Sequence, residues 1–321
     1  MAKSSWGYGR NRTPLPRWAG YALLAVLAVG TIIAVVLAMM HLRVDNPNAG
    51  TIPDGSVIVT PEPTPEVEEP TEVEEPEPEP EPDFVAPAMQ RLLAASASEG
   101  HLLRASVGSC DAAGVLEVST DSGANWQQGS LAGVGFTQLL QLGAAEPTID
   151  RLVGMNAECQ PATAWSFIGG IDWGLEEGAP AWYIDPSNAS SVMTPAGAQT
   201  VACAAVGLAS AAERAIVLCP DATVSVTYDS GASWSAPVAV PNASAVGVTP
   251  QSFVVASVGE AECSGVRTRT FDGAAASSPG GCADVGGAGG GNLAVSGDSS
   301  SLYLWAGDAF LRSGDLGGSW G

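Results

Sequence analysis

The sequence predicts an all-β domain running from about residue 84 to residue 321, preceded by one apolar helix and an extended acidic segment. Three observations predict it. A 23-residue run has no charge, the next forty or so residues are dominated by Pro and Glu, and the remainder consists of short apolar runs punctuated by Gly, Asp, Asn and Pro that return three times to one octet.

Charge divides the chain in the same places. Residues 1–43 carry five bases and no acid, residues 44–83 carry thirteen acids and no base, and residues 84–321 carry twenty-one acids against seven arginines, for a net charge of −22. A polyanion of this kind is a poor match for nucleic acid. Residues 1–17 form a basic tail. Residues 18–40, "WAGYALLAVLAVGTIIAVVLAMM", are long enough at ~1.5 Å per residue to cross a ~30 Å hydrocarbon layer. A cleaved signal peptide would have a core of only about 7–15 residues and end in a small-x-small site, whereas this run ends in Met39, Met40 and His41. The expected partner of residues 18–40 is therefore the membrane. Four bases precede the helix and Arg43 alone follows closely, which places the N-terminus in the cytoplasm and the C-terminal domain outside the cell.

Residues 41–83 include "PEPTPEVEEPTEVEEPEPEPEPD", in which Pro disfavours helix and sheet and repelling glutamates favour extension. They read as a disordered stalk. At ~3.1 Å per residue it could span on the order of 120 Å.

From residue 84 onward no stretch shows a 3.6-residue amphipathic period, while "RAIVLCPDATVSVTYDSG" and "SLYLWAGDAFLRSGD" read as strand, tight turn, strand. All six cysteines lie in this region, without a C-x-x-C spacing, and an even number outside the cell points to disulfides rather than metal. His101 is the one histidine beyond the membrane-proximal segment, so a His-based metal site or catalytic triad has little material and a structural role is expected. "GGAGGGN", Gly286 to Asn292, lacks the strand-to-helix setting of a dinucleotide loop and reads as a connection between units. No cofactor is expected.

The octets are "STDSGANW" (Ser119, Asp121, Gly123, Trp126), "TYDSGASW" (Thr227, Asp229, Gly231, Trp234) and "SGDLGGSW" (Ser313, Asp315, Gly317, Trp320). Their aspartates are 108 and 86 residues apart, about twice 54 and twice 43, so one degenerate copy should lie in each interval. "TFDGAAASSP", with Thr270 and Asp272, fills the second. In the first, aligning the cysteine before each strand pair selects Gly169–Trp173, while spacing alone also admits Asp185; the cysteine-anchored register is preferred because it matches both strands and the turn.

These octets resemble the Asp box, or BNR repeat, of sialidase-like and sortilin-like β-propellers. The resemblance covers about three quarters of the chain and implies a propeller of about five blades, with each octet in the hairpin loop between a blade's third and fourth strands. In that loop the Asp carboxylate and Ser/Thr hydroxyl accept from unpaired amides, the Gly takes a positive φ, and the Trp folds over the hairpin. The resemblance puts the octets at the propeller rim, so neither a catalytic nor a metal role is expected of Asp121, Asp229 or Asp315.

A sialidase-like enzyme would also require three converging arginines, a Tyr nucleophile with a Glu partner, and an Asp acid/base. Residues 84–321 offer only Tyr183, Tyr228 and Tyr303, with Tyr228 inside an octet; Arg267 and Arg269 alternate as on an exposed strand face, and Glu176 and Glu177 read as solvated neighbours. The expected function is therefore a tethered binding or assembly module for a glycan, peptide or protein, the alternative is a surface glycoside hydrolase, and a display module without a ligand is a third reading.

Two expectations concern assembly. Strands Val201–Gly207 and Ala215–Cys219, turning around Ala211, would set Cys203 opposite Cys219; Cys263 with Cys282 follows around the fourth copy, leaving Cys110 with Cys159. Because Trp320 completes an octet and Gly321 ends the sequence, Phe84–Met89 is expected to add a strand to the last blade and close the ring.

Overall fold

The computed structural model describes residues 84–321 apart from 98–99, 147–148, 277–279, 287–288 and 290. The described residues contain no helix long and apolar enough to cross a membrane. The tail, the span at 18–40 and the stalk lie outside them, as does part of the Gly286–Asn292 run.

The fold is an all-β propeller of six blades, each an antiparallel sheet whose strands follow chain order. Blade 1 holds β1 (Arg91–Ala95), β2 (Leu102–Ser106), β3 (Leu116–Ser119) and β4 (Gln127–Gln128). Blade 2 holds β5 (Gln138–Glu146), β6 (Ile149–Met155), β7 (Pro161–Ser166) and β8 (Gly174–Glu176). Blade 3 is small: β9 (Tyr183–Ile184), β10 (Ser191–Thr194) and β11 (Gly197–Thr200). Blade 4 holds β12 (Gly207–Ala211), β13 (Arg214–Leu218), β14 (Thr223–Thr227) and β15 (Val238–Ala239). Blade 5 holds β16 (Ala243–Val248), β17 (Phe253–Glu260), β18 (Cys263–Phe271) and β19 (Gly281–Ala283), and blade 6 holds β20 (Leu293–Gly297), β21 (Leu302–Ala306) and β22 (Ala309–Ser313).

Six blades replace the expected five because the 108 residues from Asp121 to Asp229 contain two intervening blades rather than one. Blade 3 has no octet and is too short to register in a spacing argument. Asp185 does belong to this blade, but to the turn after its first strand, where its Oδ1 accepts from the Ser187 amide at 2.9 Å.

The core lies between blades, because both faces of a sandwiched sheet must be apolar. Runs such as RAIVL in β13 and FVVAS in β17 therefore bury consecutive residues instead of alternating ones. Leu92, Leu103 and Leu116 meet Leu139, Leu152 and Trp173 between blades 1 and 2. Val192 and Trp182 meet Leu208 and Val217 between blades 3 and 4; Ile216, Leu218 and Val226 meet Phe253 and Phe271 between blades 4 and 5; Val254 and Val266 meet Leu293 and Leu304 between blades 5 and 6. Burying one such side chain is worth about 1.5–3 kcal/mol.

The ring closes differently from the expectation. Phe84–Met89 adds no strand to blade 6. The lane beside β22 is entered by Gly321, which exchanges both backbone hydrogen bonds with Arg312 at 3.0 and 3.1 Å. Residues 84–90 instead cross the face where the inner strands begin: the Ala86 amide donates to Pro220 O, Met89 to Val206 O and Gln90 to Gly291 O. Phe84, Ala86 and Met89 then pack into the blade 4–5 cluster, a better use of three apolar side chains than a solvated edge strand.

The three disulfides are Cys203–Cys219, Cys263–Cys282 and Cys110–Cys159. The register behind the first differs from the expected one. The hairpin turns at Ala212–Glu213, pairing Ala211 with Arg214 and Gly207 with Leu218, and Cys203 sits in the loop before β12. Ala212 takes φ 51°, which lets a two-residue turn close where a turn around Ala211 would not.

Candidate functional site

The inner strands of blades 1, 2, 4, 5 and 6 surround an axial cavity of about 740 Å³. Leu142, Leu208, Val246 and Val295 make its wall aliphatic, and Met89 from the crossing segment floors it. The inner strands of blades 2 and 4 approach each other in front of the two-residue β9, where Gln141 Nε2 donates to Ser210 Oγ at 3.1 Å. Charge is confined to the rim of the cavity. Arg214 Nη2 donates to Thr249 O at 2.7 Å and Pro250 O at 2.8 Å, tying blade 4 to blade 5, with Glu213 beside it. Arg151 stands on the blade 2 side, its guanidinium 3.8 Å from the centroid of the Trp165 ring. Burial lowers the Arg151 pKa, and the nearby Glu176 charge opposes that shift. The cavity is thus a mostly apolar chamber with a few fixed polar groups, the composition of a ligand pocket of ordinary size.

The three octets occupy the turns after β3, β14 and β22 and have one geometry; those after β3 and β22 do not line this chamber, and that after β14 touches it only through Ser230. Ser119 Oγ donates to Asp121 Oδ1 at 2.8 Å and accepts from the Gly123 amide at 2.8 Å, while Asp121 accepts from the Asn125 amide and side chain at 2.8 and 2.6 Å. Thr227, Asp229, Gly231 and Ser233 repeat the pattern, as do Ser313, Asp315, Gly317 and Ser319. Two consecutive positive φ values close each loop, at Ser122–Gly123, Ser230–Gly231 and Leu316–Gly317. Donation into the carboxylates lowers the Asp121 pKa and holds Asp229 and Asp315 at about 2. Each aspartate accepts three hydrogen bonds from its own loop, two on Oδ1 and one on Oδ2.

The glycines have a second function. A Cβ on Gly231 would meet Thr194 of blade 3 at 2.6 Å, on Gly317 Thr268 Oγ1 of blade 5 at 3.0 Å, and on Gly123 Phe310 of blade 6 at 2.1 Å. Each octet therefore presses its backbone against the preceding blade around the ring. The tryptophans follow: Trp234 meets Trp182 edge to face, centroids 6.3 Å apart, and Trp126 meets Phe310 at 4.9 Å. The eroded copy at Gly169–Trp173 occupies the same turn in blade 2. Ser166 Oγ accepts from the Gly170 amide at 2.9 Å, Gly169 and Gly170 have positive φ, and Trp173 is buried, but Ile168 stands where the others have Asp. At Asp272 the loop is shorter, and the carboxylate accepts from the Ala274 and Ala275 amides, lowering its pKa.

The other residues singled out by sequence do not converge. Arg267 and Arg269 are not an exposed strand face: they close around Glu260, with Arg267 Nε 2.8 Å and Arg269 Nη2 2.7 Å from its Oε2, because the Glu260–Cys263 turn returns the carboxylate over β18. Arg269 first, then Arg267, lowers the Glu260 pKa. Tyr303 is buried and donates to Asp298 at 2.7 Å, Tyr228 donates to Asp272 O at 2.6 Å from the rim, and Tyr183 sits on β9. His101 is buried in blade 1 with Nε2 2.8 Å from Asp150 Oδ1 of blade 2; burial raises the Asp150 pKa against the lowering pull of the histidine. Sequence reasoning missed the cavity and Arg151, Glu213, Arg214 and Trp165 around it. Arg151 and Trp165 become neighbours only through the β6–β7 register, which no local motif announces.

No family model matches the chain, and no curated protein does so. Among solved structures it is similar to YCF48 bound to D1 peptide, at 15% identity over 74% of this chain and 82% of that one with a TM-score of 0.37. It is also similar to Aleuria aurantia lectin in complex with alpha-methyl-L-fucoside (11% identity, 74% and 96% covered, TM-score 0.42) and to an alpha-L-arabinofuranosidase from Clostridium thermocellum (13% identity, 67% and 80% covered, TM-score 0.31). These are likenesses of fold.

Proposed function

We propose that the protein is a cell-surface binding module: a propeller tethered by a membrane helix at 18–40 and a stalk at 41–83, with residues 84–321 outside the cell, which holds a glycan, peptide or protein group in its axial cavity. The octets are Asp boxes in this reading and serve to join blades. One observation carries the proposal, the chamber of about 740 Å³ with its aliphatic wall, its floor at Met89 and its polar groups at the rim. Glu213 is the one carboxylate among the described residues that line it. Hydrolysis by two carboxylates needs a second at a defined distance, so the lining supports binding over the glycoside hydrolase alternative.

The test uses the full chain in lipid nanodiscs. Libraries of immobilised glycans and peptides are screened for binding to the native protein and to Ser210→Trp, which fills the chamber. Specific binding by the native protein that Ser210→Trp abolishes is expected. Binding indifferent to that change, or turnover of aryl glycosides that depends on Glu213, would overturn the reading.

A further inference from the structure

The face of blade 2 toward the small third blade is covered only in part: Gln141, Val153 and Thr163 on it are buried, whereas Arg151 and Gly174 are exposed. Strand registers put Gly143, Arg151, Trp165 and Gly174 opposite one another across β5 to β8, and Gln141, Val153, Thr163 and Glu176 in the adjoining row, so both rows share that face. The first row ends in glycine on both sides. A Cβ on Gly174 would meet nothing within 4 Å, and one on Gly143 only Arg151 Cβ at 3.7 Å, so the Arg151–Trp165 stack stands on an open shelf. Phe167 extends it: its ring is parallel to Trp165 within 5° at 6.1 Å and is 70% exposed. A depression of about 480 Å³ lies against Trp165, Phe167 and Glu176, while Arg151 and Thr163 line the axial cavity, so the two hollows adjoin across this face. Trp165 Nε1, a donor, and Glu176 Oε2, an acceptor, are shielded from water and have no hydrogen-bond partner among the described residues.

We propose that this shelf is a carbohydrate subsite that stacks a neutral pyranose of an oligosaccharide whose next units reach into the axial cavity. The inference rests on the binding reading above and names its ligand class. A pyranose has an apolar C–H face that matches the exposed Phe167 ring beside the half-buried Trp165, and hydroxyls that both donate and accept. Such hydroxyls suit a row that offers an indole N–H and a guanidinium beside a carboxylate, and Gly174 leaves the space in which Glu176 can turn toward them. A peptide strand fits less well. Its amides need backbone partners, and a sheet's N–H and C=O groups point along the sheet, not out of its face. An anionic sugar would meet Asp172, Glu176 and Glu177 on a domain whose acids outnumber its arginines threefold.

Binding of the full chain in nanodiscs to immobilised cellohexaose, xylohexaose, mannohexaose and arabinohexaose tests this, with sialyllactose as the anionic probe. At least one neutral hexasaccharide should bind. Trp165→Ala should weaken it about tenfold, the equivalent of ~1.4 kcal/mol, Trp165→Phe should retain most of the affinity, and Glu176→Gln should weaken it severalfold at unchanged melting temperature. Binding that survives Trp165→Ala, or a preference for sialyllactose, overturns the shelf while leaving the cavity reading intact. If none of the neutral probes binds but Ser210→Trp abolishes capture of a peptide, the carbohydrate inference fails and the binding module stands. If neither class binds, both fail.

Discussion

The seam between blades 6 and 1 and the seam between blades 2 and 3 both lack the aliphatic cluster found at the other four, yet one is sealed and the other open. At the first, Arg91 lies 4.2 Å from the Trp305 ring centroid, Arg104 lies 4.0 Å from that of Trp126 and 5.0 Å from that of Trp305, and Phe310 packs against Trp126. The Arg104 Nε–Glu117 pair at 2.8 Å and a bond from Arg91 to Gly307 O fix both guanidiniums. Burial lowers the Arg91 pKa and Asp308 opposes the shift, with the guanidinium lying over the Trp305 ring. At the second seam one arginine stacks on one tryptophan, and the Phe167 ring beside them is 70% exposed. The same pair of residue types is mortar when a neighbouring sheet completes the sandwich, and a surface when the neighbour is a two-residue strand.

Deleting residues 84–90 should have the largest effect on this comparison, because the segment crosses the ring on the face opposite the open rim. Loss of Phe84, Ala86 and Met89 from the core removes on the order of 5 kcal/mol of burial, which for a domain of this size lowers Tm by roughly 10–20 °C. Differential scanning calorimetry of the full chain with and without the segment decides it; an unchanged Tm would mean that the seams alone hold the ring.

Next, methionine in place of arginine at each seam separates mortar from surface. Arg91→Met with Arg104→Met should cost about 1–3 kcal/mol through lost cation–π contact and an unpaired Glu117, whereas Arg151→Met should change stability by less than ~0.5 kcal/mol. Urea titration monitored by tryptophan fluorescence reads both. Equal losses would erase the distinction between the seams.

Glycines sharpen it further. Gly231 needs φ 86° and has Thr194 of blade 3 at 2.6 Å from any Cβ, so Gly231→Ala should cost ~1–3 kcal/mol. Gly174→Ala, on the open shelf, should be neutral within ~0.5 kcal/mol. A destabilising Gly174→Ala would show that something covers the shelf.

How far these features are legible in the sequence depends on how local their causes are. The octets are local: the Ser/Thr, Asp and Gly act within five residues, so the hairpin loops follow from the string, while their place after a third strand is what the resemblance implies. Blade 3 is not, since it lacks the octet and its strands are two and four residues long; the spacing arithmetic absorbed it into a neighbour and returned five blades. The pairing of Cys203 with Cys219 is correct while the register offered for it is not, because a bridge constrains two residues and a hairpin turn constrains the whole ladder. The site is the least legible part. Its cavity is shared among five inner strands, and Arg151, Trp165 and Gly174 are brought together by two registers over 24 residues.

The smallest expected effect distinguishes octet carboxylates from the buried one, by pH. Asp229 and Asp315 have folded pKa values of about 2 against an ordinary 3.8, so their contribution to stability is complete above about pH 4 and is lost as pH falls through 2. Asp150 has the opposite sign: burial raises its pKa above 3.8, so its ionised form opposes folding at neutral pH, and protonation relieves that cost as pH falls. Asp229→Asn should therefore flatten the acid limb of stability between pH 4 and 2. Asp150→Asn should steepen the net acid loss, because the compensating uptake of a proton by the folded state is gone. Chemical denaturation at pH 2 to 7 measures both slopes. If Asp229→Asn leaves the acid limb unchanged, the hydrogen bonds that close the octet loop do not depend on its charge, and the loop is held by the glycine and the tryptophan against the preceding blade alone.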